Sequence, residues 1–77
     1  MKIEVLGTGC MKCRRLAKNV EQAVAELGID AEIQKVEDIA AIMDRGVMLT
    51  PALIVDGELK VSGRVADVKE LKEILKG

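Results

Sequence analysis

Residues 51–63, PALIVDGELKVSG, set an Asp56-Gly57 pair between two strand-like runs. Asp-Gly favours the two-residue turns whose twist matches antiparallel strands, so the stretch predicts a hairpin between Ala52–Val55 and Glu58–Ser62. The rest of the chain restricts what that hairpin can join. Residues 2–6, KIEVL, are followed by glycine and predict a first strand. From Cys13 onward, Leu16, Ala17, Val20, Ala23, Val24 and Leu27 recur at helical spacing, and Gly28 stops them. Residues 31–36, AEIQKV, alternate as a second strand. A β-α-β unit crosses over right-handed and makes its two strands parallel. The hairpin therefore adds antiparallel strands, and the sheet has to be mixed.

Two shorter helices complete the pattern. EDIAAIMDRG offers Asp38 as N-cap, Ile39, Ile42 and Met43 on one face, and Gly46 as C-cap. Asp67 with Glu70 three residues on forms a capping-box-like opening, followed by the apolar stripe Val68, Leu71, Ile74 and Leu75. The expected fold class is α/β, in the order β-α-β-α-β-β-α: a four-stranded mixed sheet with three helices, one domain over residues 1–77. In such an open sheet, sites form beyond the carboxyl ends of the parallel strands, and GTGCMKC lies at one of them.

Composition removes several functions. Twelve basic residues stand against 13 acidic ones and no residue is aromatic, so a nucleic acid would find neither charge nor stacking surface. No apolar run approaches the roughly 18–20 residues a membrane helix needs, so no membrane partner is expected. MKIEVLG is too short and too charged for a signal peptide, which makes the cytoplasm the expected location. Histidine is absent, and with it the commonest metal ligand and the usual partner of a nucleophilic cysteine.

The pair Cys10 and Cys13 then has four readings. As a staple it closes almost no loop and adds little through chain entropy. As part of a phosphate cradle, GTG lacks the third glycine of a dinucleotide fingerprint, where Lys12 stands. As a metal site it offers two thiolates, half of a zinc site, and no zinc is expected; a two-coordinate soft ion such as Cu(I) remains open. As an exchanging dithiol it has the right surroundings. Cys10 falls at the N-terminal end of a helix, where free N–H groups and the macrodipole favour a thiolate. Lys12, Arg14 and Arg15 add positive charge. Cys13 falls one turn deeper, at the start of the apolar stripe. Cys10 would attack a substrate disulfide and Cys13 would resolve the mixed disulfide.

With the Thr50-Pro51 pair and the hairpin in this order, the chain resembles the thioredoxin/glutaredoxin superfamily, in particular its small archaeal and bacterial thioredoxin-like members. CMKC matches the redox C-x-x-C after strand one, TPALIVDGELKVSG the proline segment and hairpin, and VADVKELKEIL the closing helix. The resemblance implies a thioredoxin fold, Cys10 as attacking and Cys13 as resolving thiol, and a cis Pro51 facing them. Thr50 would offer its backbone to an extended substrate segment. It further implies a disulfide-containing protein as substrate and a reductase or low-molecular-weight thiol as electron donor. No cofactor beyond the Cys10–Cys13 disulfide is expected, and a monomer is expected. Met11-Lys12 departs from the family's usual intervening pairs, which leaves the redox poise open. Members with a buried acid beneath the dithiol suggest Glu4 as a proton shuttle; an ordinary half-exposed strand glutamate is the simpler reading. Met48 and Leu49 would flank the site as an apolar lip, or else belong to the core. A soft-metal carrier using the same sulfurs, and a redox sensor without turnover, are the alternative functions.

Overall fold

A computed structural model describes residues 1–76. The elements are β1 (Lys2–Leu6), α1 (Met11–Leu27), β2 (Glu32–Val36), α2 (Ile39–Asp44), β3 (Ala52–Val55), β4 (Glu58–Ser62) and α3 (Val68–Lys76). The sheet order is β2-β1-β3-β4. β1 runs parallel to β2 and antiparallel to β3, which pairs antiparallel with β4. This is the α/β class with a mixed four-stranded sheet and three helices, in the expected order.

Two apolar layers cover the two faces of the sheet. On one, Ile3, Val5, Leu53 and Val55 pack with Leu16, Ala17 and Val20 of α1 and Leu71 and Leu75 of α3. On the other, Leu6, Ala52 and Ile54 pack with Val36, Ile42 and Val47 beneath α2. Successive strand residues point to opposite faces, so a strand covered on both sides needs an unbroken apolar run. ALIV in β3 supplies it, and all four residues are buried.

Local chemistry sets the helix ends. Gly28 closes α1 in the left-handed region at φ 64°, and its N–H bonds to the Val24 and Ala25 carbonyls. Asp38 caps α2 by accepting from the Ala41 N–H. At α3 the capping box is half formed. Asp67 accepts from the Glu70 N–H at 2.8 Å, while the Glu70 carboxylate turns to Arg64 instead of reaching back.

Three local expectations need correction. The C-cap of α2 is Arg45, with Gly46 one residue beyond it. Ile39 and Met43 are not on a buried face: they are 62% and 68% exposed, and Ile42 alone of α2 is buried. A six-residue helix offers only one or two positions to the sheet, and Val47, just past its end, fills the rest of that layer. β4 does not alternate cleanly either. Leu53 pairs with Val61 but Ile54 with Leu59, so Lys60 bulges out and only Val61 is buried.

Candidate active site

The site grows from the end of β1. Gly7 donates its N–H to the Val36 carbonyl at 2.9 Å, holding the loop to β2, and Gly9 turns the chain at φ 87°. Cys10 then caps α1 in extended conformation. Its Sγ accepts from the Cys13 N–H at 3.4 Å, and its carbonyl accepts from the Arg14 N–H. Cys10 is exposed and Cys13 buried. Their sulfurs stand 2.8 Å apart, close enough for one to donate to the other.

The sulfurs are electrostatically unequal. The Cys10 thiol is lowered from its ordinary value, chiefly by the hydrogen bond from the Cys13 side chain and then by the Cys13 N–H. Cys13 is raised, first by burial and then by the same bond, which keeps its proton. When the pair loses one proton, these directions favour Cys10 as the thiolate and Cys13 S–H as the donor to it. Lys12 contributes through its backbone N–H. The lowering is a hydrogen-bond effect of the helix start.

A pH dependence follows. Alkylation of the reduced protein should rise about a midpoint below the ~8.5 of an ordinary thiol and modify Cys10, with Cys13 reacting only at higher pH. The two steps belong to the coupled pair. Because the fold favours the Cys10 thiolate, the stabilisation it gives the reduced protein is complete above the unfolded thiol value and lost as pH falls through the folded one. Alkylation with peptide mapping checks the order; a Cys13 that reacts first would refute it.

The Thr50–Pro51 peptide bond is cis, with Pro51 buried and Thr50 exposed. Leu6 pairs with Ala52, so Pro51 stands at the same end of the sheet as the loop leading to Cys10. The segment is tied down from β4: Gly63 donates to the Pro51 carbonyl at 2.9 Å, and Ser62 Oγ donates to the Leu49 carbonyl at 3.4 Å. Met48 and Leu49 are exposed, Met48 at 94%, and Met11 is exposed on α1. Met48 and Leu49 are therefore surface residues and not core.

Glu4 requires a correction. It is buried, at 9% exposure, and its Oε2 accepts from Arg45 Nε at 2.6 Å. Ile3 and Val5 face α1, so Glu4 between them faces α2. The sheet thus separates this carboxylate from Cys13, and it does not lie beneath the dithiol. Glu4→Gln should leave the pH profile of exchange unchanged. Arg45→Ala should destabilise the protein by about 1–3 kcal/mol, since it leaves the buried carboxylate without its donor. Chemical denaturation reads the loss, and a change under about 0.5 kcal/mol, the usual surface-substitution range, would show that the pair is ornamental.

Gly7 carries a demand that a tight turn alone does not. A β-carbon there would overlap the Cys13 sulfur and lie 2.9 Å from its Cβ. No local signal marks this, because the contact depends on how closely α1 lies against the end of β1. Among the described residues no three or more of cysteine, aspartate, glutamate or histidine gather as metal ligands, so any metal here would rest on the two sulfurs. No helix in the described residues is long and apolar enough to cross a membrane.

An α/β protein with a two-cysteine helix start at the same end of a mixed sheet as a Thr-Pro segment has the architecture of a thioredoxin-like dithiol protein. The thioredoxin domain family model matches residues 1–76. A thioredoxin of Methanothermobacter thermautotrophicus is 52% identical over 75 residues, 97% of each chain. A thioredoxin of Methanocaldococcus jannaschii is 46% identical over 74 residues, 96% of this chain and 85% of its own. The chain belongs to the thioredoxin family of thiol–disulfide oxidoreductases.

Proposed function

We propose that the protein exchanges disulfides of protein substrates through Cys10 and Cys13. The observation that carries this reading is the unequal pair: an exposed sulfur held towards its thiolate, 2.8 Å from a buried sulfur that keeps its proton. The Cys10 thiolate attacks one sulfur of a substrate disulfide. A bond forms between Cys10 and that sulfur, and the other substrate sulfur leaves as a thiolate. Cys13 loses its proton and attacks the Cys10 sulfur, the mixed disulfide breaks, and the second substrate thiolate departs. The substrate gains two electrons and the protein holds a Cys10–Cys13 disulfide.

The surroundings fit an extended polypeptide. Thr50, exposed before Pro51, offers backbone groups for strand-like pairing, and Met11, Met48 and Leu49 give apolar surface for substrate side chains. Turnover requires a reductase or low-molecular-weight thiol to restore the dithiol; no bound cofactor takes part. The chain acts as a monomer in the cytoplasm.

A redox titration of the pair, read by alkylation and intact mass with and without Cu(I), tests this. One two-electron transition within the family range of about −270 to −120 mV, lost in Cys10→Ser, supports exchange. A pair held by Cu(I) against excess small thiol would favour a metal carrier.

A further inference from the structure

The first half of α1 carries side-chain charge to which the exchange steps give no role. Residues 5–20 hold Lys12, Arg14, Arg15 and Lys18 and no acidic residue. The remainder of the chain holds the other eight basic residues against all 13 acidic ones, a net −5. A chain of net charge −1 is thus polarised, with +4 gathered around its nucleophile. All four cations are exposed, and among the described residues none has an ion-pair partner.

Helix geometry sets this charge beside Cys10. Cys13, Leu16, Ala17 and Val20 take the buried side of α1. Arg15 and Lys18 fall on the outward side, in one stripe with the exposed Met11 at i, i+4 and i+7. Eight residues at about 1.5 Å each put Lys18 only about 12 Å along the axis from Cys10. Arg14 stands on another flank, where its Nε donates to the Gly9 carbonyl at 3.1 Å. There it lines a cavity with Lys35 and Glu37, and Glu37 offsets one of those two cations. Asp38 is engaged as the cap of α2, and Arg45 and Arg64 are matched by Glu4 and Glu70. Met48, Leu49 and Thr50 carry no charge. The cations of α1 therefore outnumber the carboxylates around Cys10.

We propose that these cations select the partner: a protein disulfide with acidic residues within about 12 Å, or roughly four extended residues, of its reactive cysteine. The inference rests on the exchange reading above and adds no step to it, since Cys10 remains the attacking sulfur. Two physical effects produce the selection. Opposite charges on the two surfaces speed the productive encounter, and like charges slow a basic competitor. The Cys10 thiolate would itself repel an acidic segment, and the α1 cations offset that repulsion. The apolar lip of Met11, Met48 and Leu49 is neutral and favours neither kind of partner. The charge of α1 makes the distinction.

The test mixes pre-reduced protein with three synthetic disulfide peptides whose cysteines are flanked by glutamate, glutamine or lysine. Each single-turnover rate is divided by that peptide's rate with 2-mercaptoethanol, which removes differences in intrinsic reactivity. At low salt the wild type should favour the glutamate over the glutamine peptide by about fivefold, which two exposed ion pairs permit. The lysine peptide should be slowest. At about 1 M salt, where the Debye length is roughly 3 Å, the preference should vanish. Arg15→Gln/Lys18→Gln should bring the low-salt ratio towards one, and Arg15→Glu/Lys18→Glu should invert it in favour of lysine. Both positions are exposed, and glutamine and glutamate are good helix formers, so both variants should fold.

Equal rates for the three peptides with the wild type overturn the inference and leave exchange standing. A charge reversal that changes all three rates by one factor also overturns it, because the cations would then act on Cys10 itself. A salt-sensitive dimer in sedimentation, with no peptide preference, overturns it in favour of a second copy's acidic remainder. A protein that reduces none of the peptides, nor bis(2-hydroxyethyl) disulfide, removes both readings.

Discussion

Cys10→Ser should abolish disulfide exchange, lowering turnover by at least about a thousandfold, as loss of a nucleophile does. Serine keeps the cap: its oxygen still accepts from the Cys13 N–H, so the helix start and the fold should survive. The remaining thiol cannot substitute, because Cys13 is buried and its proton is held by burial. Cys13→Ser should behave differently. Attack by Cys10 proceeds, resolution does not, and a mixed disulfide accumulates on Cys10, visible by intact mass. Cys13→Ala goes further by removing the side-chain donor, the largest cause of the lowered Cys10 value. Its alkylation midpoint should move up towards that of an ordinary thiol, since the thiolate loses its strongest partner. Retained turnover in Cys10→Ser would contradict the assignment of roles.

Gly7→Ala should destabilise the protein by about 1–3 kcal/mol, the range for forcing extra atoms into a packed site. At this chain size each kcal/mol lowers the melting temperature by about 4–8 °C. The added methyl would overlap the Cys13 sulfur, so either α1 lifts from the end of β1 or the cysteine turns away. Both displace the resolving sulfur from Cys10, and exchange should slow together with the stability loss. The double variant Gly7→Ala/Cys13→Ala separates the causes. Removing the sulfur should relieve part of the strain, giving a coupling of about 0.5 kcal/mol or more between contacting residues. Only part returns, because the Cys13 β-carbon would remain 2.9 Å from the new methyl. Strict additivity of the two substitutions would mean that the sulfur contact is not the reason for glycine.

Much of the architecture was legible because its signals are local. Gly28 ends α1 because only a left-handed residue lets the last carbonyls bond there, and the apolar spacing from Leu16 to Leu27 marks one helix face. Asp56-Gly57 makes its turn with both residues at positive φ, at 49° and 85°, as an Asp-Gly hairpin requires. The cysteine pair and Thr50-Pro51 were legible as motifs. Their neighbours were not. The Arg45 partner of Glu4 is 41 residues away, and nothing in either segment announces the pairing. The apolar alternation of Ile3 and Val5 did carry a hint that Glu4 faces the other side. Arg14, Lys35 and Glu37 come from α1, the end of β2 and the loop beyond it, and only the parallel pairing of β1 with β2 gathers them at one cavity.

By itself the sequence determined the order of elements, the Asp56-Gly57 turn, the Asp38 cap of α2, the Gly28 end of α1 and the dithiol at a helix start. Those depend on backbone conformation and hydrogen bonds within a few residues. Tertiary structure alone decided which side of the sheet Glu4 faces, why Gly7 tolerates no side chain, where β4 bulges, and that Ile39 and Met43 stay in water. Each of these is set by the distance between two layers that pack from distant parts of the chain, a quantity no local pattern contains.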